Sequence, residues 1–163
     1  MVKKLQKLWM KQFEDLNETS RRLGEKNPCV GNRAQEYYIS LKLNHIIAKD
    51  FHGADARNKR GHCEYKISTC GGYPVFLYEY TGNGHTKLEH LAHAKKKVFK
   101  SKSHYYVRME YGQIKEIWKL SPLMVWNNLE PKLERRFARG RNRLFAGINY
   151  GYIKKFGERI KVR

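Results

Sequence analysis

Between residues 61 and 68 the apolar side chains recur at every second position. Cys63, Tyr65 and Ile67 alternate with Glu64, Lys66 and Ser68. A period of two puts these sets on opposite faces of a β-strand, one suited to a core and the other charged. The preceding NKRG, residues 58–61, has the residues of a hairpin turn. The charged face therefore lies beside whatever the returning arm, which contains Asp55, brings to it.

The flanking segments read as follows. Residues 2–24 form an amphipathic helix, with Val2, Leu5, Leu8, Trp9, Phe13 and Leu16 at three- and four-residue steps. Gly24 and Pro28 close it. Its apolar stripe reads either as core packing or, more sharply, as a subunit interface. A second helix is expected from Asn32 to about Ile47, burying Ala34, Tyr37, Tyr38, Leu41 and His45. YPVFLYEY, 73–80, reads as a strand, and residues 87–99 as a short basic helix or loop-helix. Residues 104–122 read as two strands joined near Gly112. Pro122 opens a further helix, with an interruption or kink near Pro131. The tail holds three glycine-punctuated segments of strand type. The order of elements predicts a mixed α+β, or α/β, plan.

The 163 residues suit a single domain. Within it we distinguish an N-terminal helix (1–28), a core (32–122) and a C-terminal helix with strands (123–163). Lys and Arg number 34 against 15 acids, a formal net charge of +19. Such a surface needs an anionic partner, and nucleic acid is the first candidate because basic side chains release its condensed counterions. An anionic membrane surface is the second, but no run reaches the length of a membrane-spanning helix. Cys29, Cys63 and Cys70 form no CxxC pair, and no apolar signal core follows the basic N-terminus. Both features lead us to expect reduced thiols and a cytoplasmic setting.

Folding back at 58–61 brings Asp55 toward Glu64 and Lys66. Two converging carboxylates make a hard oxygen site of the kind Mg²⁺ prefers, and Mg²⁺ completes its shell with waters and phosphate oxygens. An ammonium nearby can position or deprotonate a water and stabilise charge on phosphorus. The set is a kit for phosphodiester hydrolysis. A surface hairpin with salt-bridged charges accounts for the same residues.

The stretch G-A-D55 … E64-Y-K66-I-S resembles the signature of the PD-(D/E)XK nuclease superfamily, with Ala54 where the name has Pro. The resemblance implies a central mixed sheet flanked by helices. It implies that Asp55, Glu64 and the carbonyl of Tyr65 bind Mg²⁺ and that Lys66 positions or activates the attacking water. Glu36, in GNRAQEYYISLKL, falls where many members carry a further helix-borne acid. A plain helix-dipole role suits Glu36 equally. Residues 50–137 further resemble small type II restriction endonucleases of the PvuII kind, through EYKIS, a His- and Lys-bearing segment, YYVRMEYGQIKEIWKLSP and LEPKLERRF. That resemblance implies a homodimer on double-stranded DNA, Mg²⁺-dependent cleavage and 5′-phosphate products. It makes Asn83, His85 and Lys87 candidates for groove contacts.

Arg57, Lys59 and Arg60 would meet the phosphates of the strand to be cut. RRFARGRNR, 135–143, packs five Arg into nine residues and makes Arg141 and Arg143 candidates for a backbone clamp. His85, His90, His93 and His104 gather near six Lys, but only Glu89 could complete a metal set, so zinc is disfavoured. His52, Asn58 and His62 suggest an HNH site, yet a strand follows the hairpin where that architecture needs a helix. No nucleophile elbow and no phosphate-cradling glycine loop is present. Two rivals to a restriction endonuclease remain. One is a homing endonuclease, repair nickase or junction resolvase of the same superfamily. The other is a non-catalytic nucleic-acid-binding module.

Overall fold

The computed structural model describes residues 33–48, 54–69, 74–81, 86–111, 113–138 and 143–161, with residues 8, 11, 12, 14–16, 18, 19 and 22. The chain divides into two compact units, 1–38 and 39–163. In the first, the described residues between 8 and 22 are helical. Arg22 pairs with Glu18 one turn away at 3.0 Å. The rest of the expected 2–24 helix, with Gly24 and Pro28, lies outside the described residues.

Helix α1 spans Arg33–Leu43. It stops four residues short of the expected Ile47. Asn44 takes a left-handed φ of 53°, and its N–H returns to the carbonyl of Leu41, ending the helix as αL residues do. Strand β1, Ile46–Ile47, follows directly. The buried face also differs from expectation. Ile39 and Ser40 are buried, Tyr38 is exposed and Leu41 is 77% exposed. His45, expected on the helix, lies beyond its end.

Strands β2 (Ala56–Asn58) and β3 (Gly61–Ser68) form the hairpin. The turn is fixed by the N–H of Arg60 donating to Asn58 Oδ1 at 2.8 Å. Gly61 has φ +125°, a conformation open to glycine and strained for other residues. Strand β4 is Val75–Thr81, and helix α2 is Lys87–Lys100. A capping box starts α2: Glu89 N–H donates to Thr86 Oγ1, and Thr86 N–H to the Glu89 carboxylate. Strands β5 (Ser103–Glu110) and β6 (Gln113–Leu120) form the expected pair.

Helix α3, Pro122–Phe137, is capped by Ser121 and runs through Pro131 without interruption, contrary to the expected break. Its buried face, Val125, Trp126, Leu129 and Leu133, lies on both sides of Pro131. Burial across that position offsets the roughly 3 kcal/mol that an interior proline costs. The tail is only partly strand. β7 (Arg143–Asn149) and β8 (Glu158–Ile160) flank helix α4, Tyr150–Phe156. Asn149 Oδ1 accepts the N–H of Tyr152 at 2.8 Å, an N-cap that turns the middle segment into a helix.

Six strands form a mixed sheet in the order β1-β2-β3-β5-β6-β8, and β4 pairs with β7 in a separate antiparallel pair. Among the described strands, β3 and β5 are the only neighbouring pair that runs parallel. The fold is thus mixed α+β, with a central sheet and flanking helices. Cores lie on both faces. One gathers Ile39, Ala56, Cys63, Tyr65, Tyr105, Val107, Met109 and Ile117. The other joins Tyr106 and Leu120 of the sheet to α2, α3, α4 and the β4–β7 pair. Among the described residues no helix is long and apolar enough to cross a membrane.

Leu129 is fully buried, so Leu129→Ala should lower unfolding free energy by about 2–5 kcal/mol in urea titration. Leu41→Ala should stay within about 0.5 kcal/mol of the parent. A large loss at Leu41 would restore the helix face read from sequence.

Candidate active site

The β2–β3 ladder changes character at Asp55, just before β2. The N–H of Asp55 donates to the carbonyl of Cys63 at 3.1 Å, and its own carbonyl accepts the N–H of Ala48 at 2.9 Å. Its side chain then takes the place of a backbone partner: Oδ2 accepts the N–H of Tyr65 at 2.5 Å. The N–H and C=O of one strand residue point to the same edge, so the Tyr65 carbonyl is directed to the edge where the Asp55 carboxylate sits. Glu64 and Lys66 flank Tyr65 on the other face of β3. Lys66 Nζ lies 3.0 Å from Glu64 Oε1, and each side chain is 25% exposed. The Asp55 carboxylate is thus hydrogen-bonded to the residue that Glu64 and Lys66 flank in sequence.

This arrangement offers two carboxylates and a peptide carbonyl, all hard oxygen donors. Among the described residues no group of three or more His, Cys, Asp or Glu gathers as a metal site. A divalent cation held here would draw its remaining ligands from waters or a phosphate, the manner in which Mg²⁺ binds. Lys66 could hold a water or a developing negative charge. By register, Arg57 stands opposite His62, on the face that Glu64 and Lys66 share.

The surroundings of Lys66 were not legible in the sequence. Its ammonium lies over the ring of Tyr78, 4.8 Å from the centroid. Tyr78 comes from β4, outside the six-stranded sheet. Its hydroxyl bonds to Tyr106 Oη at 2.6 Å and to His104 Nδ1 at 3.1 Å, and His104 Nε2 donates to the carbonyl of Val98 at 2.9 Å. His104 and Tyr106 stand beside Glu64 and Lys66 in the parallel register. The signal was present in SHYYVRME, whose strand is buried on both faces, but His104 reads in sequence as one of a basic cluster. His104 is 1% exposed and His90 is also buried, so neither can reach a groove. On the opposite face, His45 Nδ1 meets Tyr65 Oη at 2.8 Å, and Asn58 donates to Tyr105 Oη.

Arg57, Lys59 and Arg60 are exposed on the hairpin. Lys87 begins α2 and pairs with Glu134 at 3.3 Å, both half-exposed. Asn83, His85 and Arg141 lie outside the described residues. Arg143 starts β7, its backbone opposite Thr81. Glu36 occupies the first turn of α1 in the N-terminal unit, where Arg33 Nη1 donates to it at 3.3 Å.

Burial disfavours the imidazolium form of both His45 and His104 and holds their pKa values below the ordinary 6.5, with Lys119 adding to the effect at His45. The unfolded chain therefore binds more protons than the folded one as pH falls through 6.5. Their stabilisation is complete above that value and is lost below it. The urea midpoint should fall between about pH 7.5 and about pH 5.5, and His104→Phe, although less stable throughout, should show a shallower fall. An unchanged slope in that variant would remove His104 from the account.

No protein-family model matches this chain, and no curated protein matches its sequence.

Proposed function

We propose that the chain is a Mg²⁺-dependent endonuclease of the PD-(D/E)XK kind. Within that kind the reading is a type II restriction endonuclease that acts as a homodimer on double-stranded DNA. The observation that carries it is the Asp55 carboxylate seated on the Tyr65 N–H, with Glu64 and Lys66 on either side of that residue. The path into and out of the site supports it: a helix, a hairpin ending in β3, then a crossover through α2 to a parallel neighbour, β5. The excess of 19 positive charges supplies attraction for a polyanion.

In this reading Asp55, Glu64 and the Tyr65 carbonyl hold the ion. When bound, Mg²⁺ supplies neutralisation of phosphate charge and acidity to a coordinated water. Lys66 orients the attacking water and stabilises charge gathering on the phosphate oxygens. Glu64 and the ring of Tyr78 fix where that ammonium stands. Water attacks phosphorus in line with the leaving 3′-oxygen. The P–O3′ bond breaks, leaving a 5′-phosphate and a 3′-hydroxyl. Arg57, Lys59 and Arg60 draw the phosphates toward carboxylates that would otherwise repel them.

Incubation of the chain with mixed-sequence plasmid DNA, in Mg²⁺ or in EDTA, tests this. Discrete fragments that require Mg²⁺ are expected. Lys66→Ala should keep DNA binding and slow cleavage by roughly 10²- to 10⁴-fold. Asp55→Ala should lose both cleavage and the effect of Mg²⁺ on binding. Full activity in Lys66→Ala would sink the assignment. Nicks, a smear or cleavage of branched DNA alone would move the substrate to repair or junction processing. Retarded but intact DNA, tried across several genomes, would leave a binding module.

A further inference from the structure

Strand β4 has two faces. Phe76 and Tyr78 point into the core, while Val75 and Leu77 point out and are 55% and 59% exposed. Outside the β4–β7 pair, the end of α3 overhangs these side chains and forms a groove of about 350 Å³. Lys132, Arg135, Arg136 and Phe145 line it with Val75 and Leu77. Three cations face one small space, and among the described residues no carboxylate lines it.

The cations are held in place. The guanidinium of Arg136 stacks on Phe145, with Cζ 3.6 Å from the ring centroid. Its Nη1 is shut off from solvent with no hydrogen-bond partner among the described residues. Lys132 Nζ donates to Asn128 Oδ1 at 2.5 Å and to the carbonyl of Gly147 at 2.6 Å. An ammonium has three donors, so one remains after the contacts among the described residues. Burial, and then the charge of Arg135, push the Lys132 pKa down, the state of a cation short of a counter-charge. Gly147 has no room for a side chain, since a Cβ would lie 2.3 Å from Val75 Cγ1. The residues that follow α3, ARGRNR at 138–143, contain no acid. Arg136 itself lines the groove, and the fork geometry of a guanidinium matches phosphate oxygens. The apolar floor of Val75 and Leu77 lowers the local dielectric and strengthens the attraction.

We propose that this groove binds a phosphodiester of a nucleic-acid strand, with Arg136 as the principal donor, at a place separate from Asp55, Glu64 and Lys66. The inference shares with the proposed function only the choice of nucleic acid as partner. The net charge of +19 suits such a partner. The site adds affinity without reading sequence, because phosphate contacts position a strand and carry no base information.

The test is fluorescence anisotropy of a labelled duplex in EDTA, where nothing is cut, over a range of KCl concentrations. For Arg136→Gln, the slope of log K against log salt should shrink by about 0.9, the value of one lost phosphate contact. Arg136→Lys should keep the slope while binding several-fold more weakly, because it keeps the charge and loses the fork. A slope for Arg136→Gln equal to that of the parent overturns the inference. If that variant does not fold, Arg135→Gln is read in its place, with the same expected fall and the same overturning result. Suppose millimolar inorganic phosphate raises the urea midpoint of the parent but not of Arg136→Gln, and the DNA slope does not change. The groove then takes free phosphate, and the inference is again overturned. Because no cleavage is read, a failure here leaves the catalytic proposal standing, and a failure of cleavage leaves this one standing.

Discussion

Strands β3 and β5 lie side by side and run in the same direction. A parallel pair cannot be closed by a tight turn. The chain must leave the sheet after Ser68 and return at Ser103, and the intervening residues have to cover what they cross. They supply β4 and α2, which carry Phe76, Tyr78, Ala94 and Val98 into the core on one face. The other face takes Ile39 and Leu43 from α1. With both faces covered, β5 becomes almost wholly buried. The charged side of β3 is left partly open along its length, at His62, Glu64, Lys66 and Ser68. The site is thus a place where coverage of the central pair is incomplete.

The parts of this plan that depend on neighbouring residues were legible in the sequence. The alternation at 63–68, the 58–61 turn, the helix after Thr86 and the two strands around residue 112 all follow from local chemistry. The parts that failed depend on partners distant in sequence. Leu41 fits a helical stripe, yet the chain turns at Asn44 and buries Ile39 instead. Tyr150 and Ile153 suit a strand as well as a helix, and one side-chain oxygen on Asn149 decides between them. Pro131 should break a helix, but a buried face on both sides of it outweighs the lost hydrogen bond.

The candidate site divides in the same way. Asp55, Glu64 and Lys66 are close in sequence, and a hairpin suffices to gather them. Tyr78, which holds the ammonium, arrives from a strand that pairs with β7, more than sixty residues further along the chain. No spacing rule would have linked it to Lys66. The same strand serves two cationic features, Lys66 and the groove under α3. Its inward side chains support Lys66, and its outward ones floor the groove beneath Arg136.

The buried bonds around His104 have a further consequence. A main-chain carbonyl can only accept, so Val98 fixes the ring hydrogen on Nε2 and leaves Nδ1 as the acceptor. Tyr78 must then give its hydroxyl hydrogen to His104 and receive one from Tyr106. Every link points the same way, and none can reverse, because the carbonyl at the end of the chain cannot donate. The chain of dipoles therefore has one polarity in every folded molecule. The aromatic face presented to Lys66 carries the same electronic bias each time, set through His104 by a peptide group of α2.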